Sequence, residues 1–286
     1  MQLIQRFVEA LGKSPVALRR VLGFLSSFWL QWLPTKSKRI TGENLRLAFP
    51  YMQSSTRRKL LRASLRDLAE KFFDLLATWI QSEQVVRKWV KTSDGLSDFM
   101  LACENGPTLI LLPHLGNWEL FGIWLSGYRS YTAMFRPLRL NVLSDIVRGA
   151  RERGGNSLVV ASHIGVKALL KGLRQGETVI ILPDQTPYKG KGEFVPFFGI
   201  ETLTATLPYR LAQASGARIF LGYAVRSGSH YTAGLKELDL QTVQDQRQWL
   251  QQMNLEIEGL VRAYPEQYQW EYSRFRRAPD DTLRYD

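Results

Sequence analysis

Residues 108–119 read TLILLPHLGNWE, beginning at Thr108 and ending at Glu119, and the reading of this stretch decides the fold. The apolar run after Thr108 is too short for a core helix, and Pro113 closes it. It therefore reads as a strand buried on both faces. Asn117 is a natural N-cap, so a helix is expected to start there. Gly116 between them permits a sharp turn. A buried strand that turns directly into a helix is the repeating unit of an α/β sheet.

The same grammar continues down the chain. Strands are expected at 131–135, 157–161, 178–182, 218–226 and 231–237. Helices are expected at 117–128, 141–153, 166–175, 205–215 and 243–264. A loop bearing glycine and proline fills 183–202, and no internal repeat or low-complexity tract stands out. The fold class is α/β, with a largely parallel central sheet flanked by helices. Ligands of such sheets bind beyond the carboxyl ends of the strands.

Upstream the pattern is helical. Residues 15–33 carry Val21, Leu22, Leu25, Phe28, Trp29, Trp32 and Leu33 on one face, and Pro34 ends the segment. Its uninterrupted apolar run is shorter than the roughly 20 residues that cross a bilayer. Arg19 and Arg20 lie within it. No small-x-small cleavage site follows, which argues against a signal peptide. An N-terminal helical membrane-interacting segment lying in the interface is expected, with a helix packed on the protein's own core as the alternative. The expected organisation is a membrane-anchoring helix in 1–40 and a catalytic domain in 41–286. That domain would comprise a helical lead-in over 41–105 and an α/β core over 106–286.

The composition fits this division. Of 286 residues, 45% are apolar and 22% charged, the profile of a folded chain. The formal charge is +12. Eleven Lys/Arg stand against two Asp/Glu in the first 60 residues, a surplus of nine. Such asymmetry points to an anionic surface, and eight Trp point to a membrane one. A single cysteine, Cys103, excludes an intrachain disulfide and a cysteine-based metal cage. No metal and no cofactor is expected. No zinc finger or RNP-like sequence appears, so nucleic acid is not expected as a partner.

The chemistry concentrates where the quoted strand ends. His114 follows the strand and Glu119 falls in the first turn of the next helix. On a straight helix five residues rotate by about 500°, so the two cannot share a face. They can pair only if the chain turns between them, as Gly116 allows. An imidazole, with an ordinary pKa of about 6.5, is a general base at neutral pH, and a carboxylate beside it fixes the tautomer. The alternative is a structural histidine with a surface glutamate. No G-x-S-x-G, H-E-x-x-H or Walker A sequence supplies a rival. A base without a protein nucleophile suggests attack by the substrate's own hydroxyl.

HLGNWE (114–119) resembles the H-x4-D/E motif of glycerolipid-type acyltransferases, and more specifically that of the bacterial lipid A secondary acyltransferases. FRPLRLNVLSDIVRGARERGG (135–155) resembles that family's second block. ILPDQTPYKGKGEFVPFFGIETLTATLPYRLAQASGARI (181–219) resembles its third. GENLRLAFP (42–50) and YPEQYQWEYSRFRR (264–277) are similar to its N- and C-terminal motifs. The resemblance implies acyl transfer from acyl carrier protein or acyl-CoA to a hydroxyl of a membrane lipid, a lipid A precursor first. Another bacterial glycolipid, phospholipid or aminolipid is the alternative acceptor. It implies His114 as base and Glu119 as its orienter, with Asn117 supporting the turn. Arg136 and Arg151 would meet phosphates, Asp184 and Gln185 would shape the site or touch the acceptor, and Phe197 and Phe198 would line the acyl path. It also implies a peripheral or monotopic place on the cytoplasmic face of the inner membrane. Two other readings remain open: a non-catalytic basic membrane-binding protein, and a hydrolase using the same pair with water.

Overall fold

The computed structural model describes residues 2–138, 140–188 and 190–285. Helices α1 (Gln2–Lys13), α2 (Val16–Trp32), α3 (Lys36–Ala48), α4 (Ser54–Ile80) and α5 (Glu83–Arg87) open the chain. Strand β1 (Val90–Asp94) and helix α6 (Leu96–Glu104) lead into the alternating part. This runs β2 (Thr108–Leu111), α7 (Trp118–Leu125), β3 (Tyr131–Phe135), α8 (Asn141–Glu152), β4 (Ser157–Val160), α9 (His163–Arg174) and β5 (Thr178–Ile181). A hairpin of β6 (Gly192–Phe197) and β7 (Ile200–Ala205) follows. Then come α10 (Leu207–Ser215), β8 (Arg218–Ser227), β9 (His230–Leu238) and α11 (Gln246–Ala263).

Seven strands form one sheet in the order β1-β9-β8-β2-β5-β3-β4. From β8 to β4 every neighbouring pair is parallel, while β8 and β9 are antiparallel. β2 lies at the centre, and all four of its residues are buried, as its unbroken apolar run requires. Cys103 is buried against the hydroxyls of Thr108 and Thr178.

Two expectations are corrected. The stretch 183–202 is not all loop, because 192–197 pairs antiparallel with 200–205. Pro196 and the nearby glycines disguise the strand, yet Phe198 (φ 53°) and Gly199 (φ 74°) form a two-residue turn of the kind that matches strand twist. The lead-in is not wholly helical either: β1 adds a parallel edge strand beside β9.

Helix α2 has an inverted amphipathicity. Its buried residues are Arg19, Gly23 and Ser27, a stripe with a spacing of four. That stripe lies on α4, and a Cβ on Gly23 would come within 2.9 Å of Glu70. Val21, Phe24, Leu25, Phe28, Trp29 (63% exposed) and Trp32 (72% exposed) face outward. The polar stripe is held by ions. Arg19 reaches Asp74 at 3.6 Å and Arg20 reaches Glu70 at 3.2 Å. Arg226 joins both carboxylates, and the Tyr231 hydroxyl donates to Asp74 at 2.6 Å. Among the described residues no helix is long and apolar enough to cross a membrane.

Candidate active site

β2 and β5 are parallel neighbours in the register Leu111 with Ile181. His114 and Asp184 each lie three residues beyond those ends, so the two turns emerge side by side. Asp184 clasps His114 twice: Oδ2 accepts the backbone N–H at 2.9 Å and Oδ1 lies 2.7 Å from Nδ1. With Asp184 ionised, this network places the imidazole proton on Nδ1. Nε2 is then an acceptor, facing the Gln185 amide nitrogen at 3.2 Å. That amide also donates to Gln269 Oε1 at 3.1 Å.

The turn after His114 is built by backbone constraints. Gly116 has φ 60°, and a Cβ there would sit 2.0 Å from the Ala224 carbonyl oxygen. Asn117 caps α7 by accepting from the Leu120 N–H at 2.9 Å, while its amide donates to Thr78. The C-terminal segment returns to brace the turn: Gly116 N–H donates to the Gln267 carbonyl and Gln269 N–H to that of His114. The rings of Trp118 and His114 stand edge to face with centroids 5.0 Å apart, and Lys71 Nζ lies 5.7 Å from the Trp118 ring.

Glu119 is buried at the start of α7 and held by Arg151 of α8 through two bonds of 2.9 and 2.5 Å. Its hydrogen bonds go to Arg151, and its link to His114 is electrostatic rather than a hydrogen bond. Burial pushes the Glu119 pKa up, but the charge and bonds of Arg151, with smaller contributions from the Trp79 indole and then from His114, bring it below the ordinary value. Asp184 behaves alike: burial raises it, and the charge and two bonds of His114 outweigh this. For Arg151, burial lowers the pKa and Glu119 reverses the shift. Tyr268, buried beside Asp184, has its pKa raised well above the phenol value, by burial first and Asp184 second.

The other expected residues are placed as follows. Arg136 is exposed and lies over the Tyr188 ring, 5.2 Å away. Arg151, expected on phosphate, spends Nε and Nη2 on Glu119, because a buried carboxylate demands a charge partner. Phe197 and Phe198, expected on an acyl path, are buried among the rings of Phe49, Tyr268, Trp270 and Phe275. The Phe197 ring packs on Tyr268, 6.2 Å between centroids, and the Phe198 N–H is fixed by Glu258 at 2.6 Å. An apolar slot of about 30 Å³, lined by Leu112, Trp118, Met134 and Leu182, ends on Glu119 and Arg151.

Asp184 as the direct partner of the imidazole, and Tyr268 and Gln269 around it, were not read from the sequence. A signal was present. TLILLPH (108–114) and TVIILPD (178–184) are matched heptapeptides, each a buried strand closed by Leu-Pro and one chemical residue. The hydroxyls of Thr108 and Thr178 meet at 2.9 Å at the start of that match.

A strand-end imidazole, clasped by a carboxylate at Nδ1 and facing only a side-chain amide at Nε2, has the chemistry to accept a proton from a hydroxyl. The profile described as bacterial lipid A biosynthesis acyltransferase matches residues 3–277. A lipid A biosynthesis palmitoleoyltransferase of Escherichia coli (strain K12) is 26% identical, over 84% of this chain and 79% of that one. A lipid A biosynthesis acyltransferase of Haemophilus influenzae is 27% identical, over 98% and 88%. A lipid A biosynthesis lauroyltransferase of E. coli is 23% identical, over 93% and 87%. The protein is an acyltransferase. It belongs to the bacterial lipid A biosynthesis acyltransferase family.

Proposed function

We propose that the protein transfers a fatty-acyl chain from acyl carrier protein, or from acyl-CoA, to a hydroxyl of a lipid A precursor at the cytoplasmic face of the inner membrane. The observation that carries the chemistry is the His114–Asp184 clasp. His114 Nε2 takes the proton of the acceptor hydroxyl as its oxygen attacks the acyl carbonyl. The acceptor displaces the Gln185 amide from Nε2 to do so. Asp184 keeps the proton on Nδ1 and balances the imidazolium that forms. Glu119 adds negative potential at the same imidazole and keeps Arg151 against α7. The proton then leaves with the thiol of the donor. Residues 1–40 hold the body 41–286 on the bilayer, the exposed aromatic face of α2 lying among acyl chains.

Acid–base help of this kind is worth roughly 10²- to 10⁴-fold in rate. The test is transfer from labelled acyl carrier protein to a lipid A precursor, with free fatty acid counted alongside. H114A loses about that factor, and D184N and E119Q are each slowed. Wild-type transfer by H114A would remove the base from the account. Release of free acid in place of acylated lipid would favour the hydrolase reading.

A further inference from the structure

Beside Thr186, two residues past Asp184, an open cavity of about 480 Å³ lies between the start of α3 and the C-terminal segment. Lys36, Arg276 and Arg277 line it against one carboxylate, Glu271. All three cations are exposed. Lys36 and Arg276 make no ion pair among the described residues, and Arg277 has only a contact of 3.8 Å to Asp281. Tyr272 stands at the back. Its oxygen accepts the Thr186 N–H at 2.9 Å, which ties the cavity wall to the segment that carries Asp184. The same strip of chain forms the wall of the catalytic site, through Gln185 and Gln269.

We infer that this cavity holds the phosphate-bearing sugar headgroup of the acceptor. The inference rests on the acyl-transfer reading for the word acceptor, and on the cavity and its charges for the phosphate. Its volume lies within the roughly 300–1,000 Å³ range of small-molecule sites. Its surplus of cations fits a phosphate rather than a neutral sugar. Its place fits an amphiphile: α2 ends at Trp32, and α3 begins at Lys36 on the cavity rim. A lipid whose chains stay among the aromatic side chains of α2 would present its headgroup here, with its acceptor hydroxyl reaching towards His114. Convex acidic proteins are served less well by a recess. Neither Arg136 nor Arg151, the cations expected on phosphate, lines it.

The probe is the water-soluble diphosphorylated disaccharide without acyl chains, titrated into the full chain and followed by calorimetry. The double variant R276S/R277S and the single variant K36S are compared with K171S/R174S on the exposed face of α9. Loss of charge-assisted bonds weakens binding by at least about tenfold in the cavity variants and leaves the α9 variant like wild type. Thermal midpoints stay close together, because the altered side chains are exposed. The unphosphorylated disaccharide binds wild type no better than the variants. In turnover, the acceptor KM rises in the cavity variants while the donor KM is unchanged. Equal affinity of wild type and the double variant for the diphosphorylated probe overturns the inference. So does pyrophosphate binding as tightly as the probe, which would mark a site for free phosphate. A rise in donor KM alone also overturns it, in favour of an acidic carrier protein. Binding is read without turnover, so a wild type that binds the probe but acylates no glycolipid would contradict the acyl-transfer reading and not this one.

Discussion

At the scale of single residues, two carboxylates flank one imidazole and do different things. Asp184 bonds the ring, whereas Glu119 bonds Arg151 and acts on the ring through space. A downfield Nδ1–H proton resonance is therefore expected in wild type and in E119Q, and is expected to vanish in D184N. Its loss in E119Q instead would make Glu119 the orienter. Glu119 also carries stability. Removing it leaves a guanidinium with no partner in a mostly buried place, a change that costs about 3–5 kcal/mol, at the low end here because Arg151 is partly exposed. The pH dependence follows from its depressed pKa. The contribution is complete above the unfolded carboxylate value of about 4.3 and is lost as pH falls through the lower folded value. The gap in thermal midpoint between wild type and E119Q should be widest near neutrality and close in acid. A gap that widens in acid would contradict the ion pair.

At the scale of elements, the turn between β2 and α7 has no slack. At Gly116 an alanine would need φ +60° and would meet the Ala224 carbonyl oxygen at 2.0 Å. The left-handed conformation alone costs about 1–2 kcal/mol, and the clash adds to it. G116A should lower the unfolding midpoint and slow transfer together, because Asn117 N–H bonds the same carbonyl. Unaltered kinetics would mean that the turn does not set the position of His114. The strands and this turn were legible in the sequence because burial on both faces leaves an unbroken apolar run. The His114–Asp184 pairing was not, because it depends on which strand lies beside β2. Strand order is a tertiary fact, and 70 residues separate the two halves. The matched heptapeptides carry it only for a reader who compares Pro113-His114 with Pro183-Asp184. The β6–β7 hairpin was hidden for a local reason: Pro196 and the glycines around it have the composition of a loop.

At the scale of the whole molecule, the question is what the outward face of α2 meets. The sequence left open whether this helix packs on the protein or on lipid, and the structure answers for one side. Arg19, Gly23 and Ser27 take the protein side, so the aromatic residues are left for something else. Burial of a large apolar side chain is worth roughly 1.5–3 kcal/mol. W29A/W32A should weaken binding to anionic vesicles at least about tenfold and leave the thermal midpoint unchanged, since neither ring supports the fold. Undiminished vesicle binding would mean that α2 faces a protein. R19A should do the reverse, lowering the midpoint by stripping Asp74 of a buried partner. Charge asymmetry and aromatic content pointed to this surface. The ion cluster beneath it depends on α4, Arg226 and Tyr231 meeting, which no local pattern announces.

The central claim is that this chain adds an acyl group to a lipid A precursor by way of His114. The most direct measurement is mass spectrometry of membrane lipids from cells that carry the wild-type gene, the H114A gene or none. Lipid A heavier by one acyl chain in the wild type alone is the predicted result. Identical lipid A in all three, or an added chain on a different lipid, would contradict it.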